Sequence, residues 1–310
     1  MSTPGIETSI PAPKQTSGPK AVDRVARFMS KYSIAYLFIA VPVIWNIVFL
    51  LIPMLVSFWW SFHDYDGLKP AQFVGLANYT QLLTKDKIFL AALKNTTFFV
   101  LLGQGTGPII GLLTALMLNQ KVRFQSFFRT AYFLPVMTSL VVVSTIWIML
   151  YNRNGLFNSI LSNAGLKPVG WLSDPRWSLV SIIVASVWQG FGFETVVFLA
   201  ALQSIPKELY EAATMDGANA LQRFWYITVP SLRPVIFFVY IIGVIGSYQV
   251  FDQVYVMTSG GPVHSTTTLV YYLFTKFRDL RLGYASAIAY ILFAILVIFS
   301  YIQMRFSRER

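Results

Sequence analysis

The chain has 310 residues, of which 55% are hydrophobic and only 12% are charged. Soluble domains usually carry about 25% charged residues, so most of this chain is expected to lie away from water, which excludes an ordinary soluble domain. The net charge of +11 would suit a nucleic-acid-binding protein, but membrane proteins collect basic residues in their cytoplasmic loops, and no nucleic-acid partner is predicted.

Residues 1–30 are predicted to form a disordered, basic cytoplasmic tail. The segment Ser2–Lys20 is rich in Pro, Ser, Thr and Lys, and the basic residues Arg24 and Arg27 follow it. A segment of this composition cannot bury an apolar core. No small-residue cleavage site closes a short apolar stretch, so a signal peptide is not expected. Residues 31–310 are predicted to form one transmembrane domain.

Six apolar segments follow, and they predict an all-α membrane protein with about six transmembrane helices. Each segment is long and continuous, which favours helices over the short alternating strands of a β-barrel. Prolines and glycines inside the segments are tolerated in membrane helices. The pair Gly107 and Gly111 in the second segment is typical of close helix packing. The predicted spans are about 34–58, 96–118, 131–151, 179–202, 234–257 and 284–304.

The distribution of basic residues predicts how the chain is oriented. If the N-terminus is cytoplasmic, the inner tails and loops hold fourteen of the 24 lysines and arginines, and the outer loops hold ten. Because cytoplasmic loops carry the excess of basic residues, both termini and the loop at about 203–233 are predicted to be cytoplasmic. The longest outer loop, about 59–94, is too short for a large folded domain.

The loop at about 203–233 contains a predicted short helix. Pro206 suits the first turn of a helix, and Glu211 then lies towards the positive end of the helix dipole. Ala212 and Ala213 are strong helix formers, and Gly217 fits a helix stop. The small-residue face suits docking into a groove on a partner protein. An interfacial helix lying on the lipid surface explains the same pattern equally well.

The spacing of this loop resembles a known family. Glu211-Ala-Ala, three residues, Gly217, nine residues, Ile227, one residue and Val229-Pro230 together resemble the EAA loop of binding-protein-dependent ABC importer permeases. The family pattern has Leu where this chain has Val229. In that family the loop forms a coupling helix that sits in a cleft of the ATPase subunit. The resemblance therefore implies an ATPase-coupling role for Glu211, Ala212, Ala213, Asp216 and Gly217.

Other stretches resemble the carbohydrate branch of this family, which handles maltose-type oligosaccharides, multiple sugars and glycerol-3-phosphate. They are Arg129–Pro135, Ala201–Pro206, Phe251–Asp252 and Thr258–Pro262. The resemblance covers roughly residues 35–305 and implies the type I ABC importer permease fold in a prokaryotic inner membrane. It also implies a second homologous permease subunit, two ATP-binding subunits and an extracytoplasmic solute-binding protein, with membrane lipid around them.

No catalytic or nucleotide-binding motif is evident in the sequence. A G-x-x-x-x-G-K-[ST] phosphate loop is absent, and the glycines of Gly103–Gly107 lack its spacing. His63 and His264 lie in separate loops without a zinc-binding motif, and there is no cysteine. We therefore predict a transport subunit rather than an enzyme, with no catalytic residue and no bound metal or cofactor. ATP and Mg are expected on the partner ATPase.

Two of the 13 acidic residues, Glu194 and Asp252, fall inside predicted spans. A charge at the bilayer centre costs about 2.5–3.5 kcal/mol, so such residues usually face a cavity or a partner. They are predicted to line the translocation pathway for a sugar or polyol, with four neighbours: Trp188, Gln189, Tyr248 and Phe251. Two acids in the pathway would disfavour a phosphate ester, which favours a neutral sugar.

Three alternatives to this prediction stay open. Asp252 lies near the outer end of its segment and could be interfacial or structural. An ion-coupled secondary transporter of a small polar solute would also place ionisable groups such as Glu194 inside its spans. A membrane enzyme or scaffold is the remaining alternative.

Overall fold

The structure, a computed structural model, describes residues 36–120 and 123–308. The tail predicted at residues 1–30 lies outside the described residues. The chain divides into two compact units, Met1–Val56 and Ser57–Arg310. Within the described ranges, six helical segments are long and apolar enough to cross a membrane. The prediction of an all-α, multi-pass membrane protein is therefore confirmed.

Helix α1 runs from Tyr36 to Trp60, and its first 21 residues, up to Val56, are the described part of the first unit. A π-helical turn, Ile47–Leu51, interrupts the regular α-helix shortly before Pro53. Proline has no backbone N–H, and local π-turns are one way in which a helix accommodates the loss. The apolar side chains of this stretch are exposed, as expected of a helix that faces lipid.

The second unit contains the remaining helices and one short hairpin. The two-residue strands β1, His63–Asp64, and β2, Gln72–Phe73, pair antiparallel with His63 opposite Phe73. The helices are α2 Ala77–Thr84, α3 Lys87–Leu118, α4 Gln125–Met137, α5 Leu140–Tyr151, α6 Leu156–Asn163, α7 Ser178–Gln203, α8 Lys207–Met215, α9 Ala220–Tyr248, α10 Asp252–Met257, α11 Leu269–Arg278 and α12 Leu282–Arg308. Helix α9 includes a π-helical turn at Phe224–Thr228.

The third predicted span, 131–151, falls on two helices in the structure. Helix α4 ends before Thr138 and α5 begins after Ser139, because both residues adopt extended ψ angles of 141° and 134°. Helix α4 approaches α7 closely, since a Cβ added to Gly192 would collide with the carbonyl oxygen of Tyr132. The absence of a side chain at Gly192 therefore allows the backbones of α4 and α7 to come into direct contact.

The fifth predicted span, 234–257, is also interrupted. Helix α9 begins earlier than predicted and is separated from α10 by the non-helical residues Gln249–Phe251. The carbonyl of Val250, inside this break, accepts a hydrogen bond from the Thr268 hydroxyl at 3.1 Å. The break is thus stabilised by Thr268, a residue that lies outside the predicted span. Non-helical backbone at membrane depth is tolerated where it lines a cavity, and this break does so.

Helices α3 and α7 form the centre of the second unit, with the other long helices packed around them. Buried apolar side chains join them in three clusters within the described part of the chain. Nearly fully buried members include Phe89, Leu269 and Ile288 in the first cluster, Val143, Ile182 and Val254 in the second, and Ala115, Phe198 and Leu232 in the third.

Asp86 joins three helices at the start of α3. Its Oδ1 accepts hydrogen bonds from the backbone N–H groups of Ile88 and Phe89 and so caps the helix. Its Oδ2 accepts from the hydroxyls of Tyr272 at 2.6 Å and Tyr284 at 2.7 Å, on α11 and α12. Burial alone would raise the pKa of Asp86, but these hydrogen bonds hold it below its usual value.

The loop between α10 and α11 closes the same end of the second unit. The side-chain amide of Asn95, on α3, donates to the carbonyls of His264 and Thr267. The hydroxyls of Ser178, at the start of α7, and Ser265 lie 2.8 Å apart. Helix α8 follows the other end of α7, so it lies at the opposite end of this unit.

Candidate functional sites

The first candidate site is the exposed helix α8, which is the short helix predicted after Pro206. Gly217 ends it with a left-handed φ of +77°, and the N–H of Ala218 donates to the Ala213 carbonyl at 2.9 Å. Among the residues of the predicted coupling set, Ala213 is half-buried. The other four are exposed: Glu211, Ala212, Asp216 and Gly217.

Two side-chain hydrogen bonds attach α8 to the beginning of α9. The hydroxyl of Tyr210 lies 2.9 Å from that of Thr228, in the π-helical turn. The guanidinium of Arg223 donates to the hydroxyl of Thr214 at 2.6 Å. Helix α8 thus presents one face outward and is held to a membrane-crossing helix on the other.

The second candidate site is a cavity of about 350 Å³ between α3, α7 and α9. The amide of Gln104 donates to the Ser247 hydroxyl at 2.8 Å. Gln104 Oε1 and Glu194 Oε2 have no hydrogen-bond partner among the described residues. A buried oxygen without a partner is costly, so both atoms are available for a polar ligand. The polar side chains lining the cavity are Gln104, Ser186, Gln189, Glu194 and Ser247.

Two glycines of α3 make room for Glu194. A Cβ on Gly111 would lie 2.7 Å from the Cβ of Glu194, and a Cβ on Gly107 would lie 3.1 Å from its carboxylate. The pair Gly107 and Gly111 therefore serves close packing of α3 on α7, and the side chain packed over both glycines is that of Glu194.

A neighbouring cavity of about 220 Å³ lies where α9 breaks. It contains Asp252, at the start of α10, and the non-helical residues Gln249–Phe251. The hydroxyl of Ser186 donates to the side-chain oxygen of Gln253 in its wall. The two cavities share five lining residues, so a continuous surface that includes polar side chains connects Asp252 to Glu194; the shared residues are Phe99, Ser186, Gln189, Gly246 and Ser247.

The structure brings together four of the six side chains predicted to line the pathway and separates two from them. Those on the cavities are Glu194, Gln189, Asp252 and Phe251. Trp188 packs edge-on against Trp147, with ring centroids 5.6 Å apart, outside both cavities. Tyr248 is only 2% exposed and belongs to a buried apolar cluster.

The polar lining residues that were missed from the sequence include Gln104, Ser186, Ser247 and Gln253. For Gln104 a signal was present, because an amide flanked by glycines inside an apolar span is unusual. The hydroxyls of Ser186 and Ser247 gave no signal, since serine is common in membrane helices.

Neither histidine forms part of a metal site in the described part of the chain. No group of three or more His, Asp or Glu residues there is close enough to hold a metal ion. The Nδ1 atom of His63 lies 2.7 Å from the carbonyl oxygen of Trp59.

The chain is similar in sequence to a known protein family and to individual transport proteins. Residues 107–309 match the family described as binding-protein-dependent transport system inner membrane component. The chain is 37% identical over 282 residues to the lactose transport system permease protein LacF of Rhizobium radiobacter, covering 89% of this chain and 94% of that protein. It is 35% identical over 267 residues to the trehalose/maltose transport system permease protein MalF of Thermococcus litoralis, covering 85% and 90%.

The fold is also similar to that of a solved protein. A crystal structure of a bacterial alginate ABC transporter, in complex with an alginate pentasaccharide-bound periplasmic protein, matches with a TM-score of 0.82. That similarity covers 92% of this chain and 98% of the matched chain, at 25% sequence identity.

Proposed function

This chain belongs to the family of binding-protein-dependent transport system inner membrane components, and we propose that it is the permease subunit of an ATP-driven sugar importer. The observation that carries the proposal is the set of polar side chains along the shared cavity surface from Asp252 to Glu194, inside a unit otherwise built from apolar helices. An intramembrane carboxylate that faces a cavity is typical of a solute pathway.

The lining of the two cavities suits a neutral sugar or related polyol. Amides, hydroxyls and carboxylates can exchange hydrogen bonds with sugar hydroxyls, and the unpartnered oxygens of Gln104 and Glu194 are acceptors for them. Aromatic rings of Phe99 and Phe251 can cover the apolar face of a sugar ring. The similar permeases named for lactose and for trehalose and maltose support the same solute class.

In the proposed importer this subunit forms half of the translocation pathway beside a second homologous permease. One of two ATP-binding subunits docks onto α8, and these two subunits carry the ATP and Mg, so this subunit catalyses no covalent chemistry. An extracytoplasmic solute-binding protein delivers the sugar at the opposite end, as supported by the similar alginate transporter in complex with its periplasmic protein. The distribution of basic residues supports cytoplasmic termini.

Helix α9 supplies the physical link between ATP hydrolysis and the pathway. Its first turns are bonded to α8 through Thr228 and Arg223, and its last turns carry Ser247 in the cavity wall. At 1.5 Å per residue, this 29-residue helix is about 40 Å long. A displacement of α8 by the ATPase is therefore carried to the cavity, where it changes the access of the solute.

The pathway is tested by measuring ATP-driven uptake of labelled disaccharides by the reconstituted complex. Glu194→Gln and Asp252→Asn remove charge with little change of volume. We expect each to lower uptake by about tenfold, which corresponds to losing one charge-assisted hydrogen bond to the solute. Asp66→Asn, in an exposed loop, is the matched control and should leave uptake unchanged. Normal uptake by both pathway variants, with normal ATP hydrolysis, would contradict the proposal.

The energy source separates this function from ion-coupled transport, which the carboxylate of Glu194 would also permit. Uptake by the ATP-driven importer should stop when the partner ATPase is inactivated and should persist when an uncoupler collapses the ion gradient across ATP-containing vesicles. The reverse result would establish the secondary transporter instead.

A further inference from the structure

A basic cavity lies at the end of the second unit opposite α8. It has a volume of about 650 Å³ and lies between the end of α5 and the loop that precedes α7. Arg153 and Lys167 line it, and neither forms an ion pair with another described residue. The acidic residue of this loop, Asp174, is already bound to Arg176 at 2.7 Å. The cavity therefore carries two positive charges that nothing in the described chain compensates.

An apolar groove of about 590 Å³ adjoins the basic cavity. The rings of Tyr151 and Trp171 line both, so one leads directly into the other. The groove continues along α5 and α7 by about one helical turn, to Trp147 and Val184. Its other walls are the side chains of Phe157, Ile160, Leu161, Trp177 and Val180.

Three polar groups in the walls of this groove are already occupied. The Tyr151 hydroxyl donates to the Ser181 carbonyl at 3.0 Å, and the Ser181 hydroxyl donates to the Trp171 carbonyl at 2.9 Å. The indole N–H of Trp171 donates to the side chain of Asn158 at 3.2 Å. These groups are therefore not free to bind a sugar, and the groove suits an aliphatic chain.

The buried side chain of Asn158 holds the two cavities in shape. Its amide donates to the carbonyls of Asn152 and Val169, and its oxygen accepts from the N–H of Val169 and from Trp171. Asn158 is only 1% exposed. These bonds fix the loop that carries Lys167 against the turn that carries Arg153, so the fold sets the backbone positions of both residues.

We propose that the two cavities together bind one anionic phospholipid, with its phosphate between Arg153 and Lys167 and an acyl chain in the apolar groove. The charge of the first cavity complements a phosphodiester, and clusters of basic residues at the membrane surface attract anionic lipid head groups. The rim carries Trp171 and Trp177, residues that favour the membrane interface. An acidic segment of a partner protein would satisfy the two cations but would leave the adjoining groove empty.

The proposal is tested on the full chain in its purified complex, by native mass spectrometry in detergent with added phosphatidylglycerol or phosphatidylcholine. The double variant Arg153→Ala/Lys167→Ala should lower the affinity for phosphatidylglycerol by about tenfold to thirtyfold and leave phosphatidylcholine unchanged. Arg176→Ala, in the same loop but bound to Asp174, is the control for charge and should stay within about twofold of the native chain.

A second variant tests the groove without touching the charges. Val184→Phe, at an exposed position, should fill the groove and weaken both lipids, whereas Val142→Phe, exposed on α5 outside the groove, should weaken neither. Equal retention of phosphatidylglycerol by the native chain and the double variant would overturn the proposal. Loss of binding-protein affinity with unchanged lipid retention would also overturn it and would identify the basic cavity as a protein-docking surface.

Discussion

Replacing Gly111 by alanine tests how closely α3 packs on α7 around the pathway carboxylate. The new methyl group would lie 2.7 Å from the Cβ of Glu194 and 3.2 Å from the backbone nitrogen of Thr195. Because that second atom is backbone, the two helices must separate. Overpacking costs about 1–3 kcal/mol, and the alanine returns about 1 kcal/mol of helix propensity. We expect a net loss of up to about 2 kcal/mol in the free energy of unfolding.

The same helix supplies the controls. Gly105 has no atom within 4 Å of an added Cβ, so Gly105→Ala should be neutral or slightly stabilising. The three atoms nearest to a methyl on Gly107 all belong to the carboxylate of Glu194, which can rotate away. Gly107→Ala should therefore keep its stability and lose uptake, because the carboxylate leaves its place in the cavity.

The assay is equilibrium unfolding in mixed micelles of increasing denaturing detergent, followed by tryptophan fluorescence, with sugar uptake measured on the same preparations. If Gly111→Ala unfolds at the same detergent fraction as Gly105→Ala, the close approach of α3 and α7 is not as described. If Gly107→Ala transports normally, the position of the Glu194 carboxylate does not matter to the pathway.

Two further predictions concern the ends of the second unit. Because the folded pKa of Asp86 lies below its unfolded value of about 3.9, its contribution to stability is complete above that pH and is lost as the pH falls through the folded pKa. Asp86→Asn should keep the helix cap and remove this acid dependence of stability. The measurement is the unfolding temperature between about pH 3 and 7. If the pH dependence of the unfolding temperature is the same in the variant and the native chain, the role of Asp86 is refuted. At Gly217 the left-handed backbone favours Gly over Asn and Asn over Ala. Co-purification of the ATPase should therefore fall from the native chain to Gly217→Asn and further to Gly217→Ala. Equal yields of the ATPase would refute a role for this turn.

The sequence predicts the number and type of the long helices well, because continuous apolar segments leave little choice in a membrane. It does not predict where two of them break. The break at Gln249–Phe251 depends on a hydrogen bond from Thr268, and the one at Thr138 and Ser139 follows no glycine and no immediately preceding proline. The contact between Thr268 and Val250 joins segments distant in sequence, which periodicity along the chain does not report.

The pathway residues show a related limit. Glu194 and Asp252 stand out in the sequence because charge is rare inside spans, and both line the cavities. Tyr248 was predicted to line the pathway because it lies close to Asp252 in the chain. Successive residues of a helix point about 100° apart, so the neighbours Ser247 and Tyr248 face the cavity and the core respectively.

The backbone at the two ends of α9 bears on the proposed mechanism. The π-helical turn Phe224–Thr228 lies where α9 is bonded to α8, and the non-helical residues Gln249–Phe251 lie where it meets the pathway. Between them the helix is continuous and contains Pro234, with Leu232 and Val239 buried in the core. A continuous helix with irregular backbone at both ends can shift along or about its axis while its ends absorb the change in dihedral angles. An ATPase that pulls on α8 would then act on the cavity through one element.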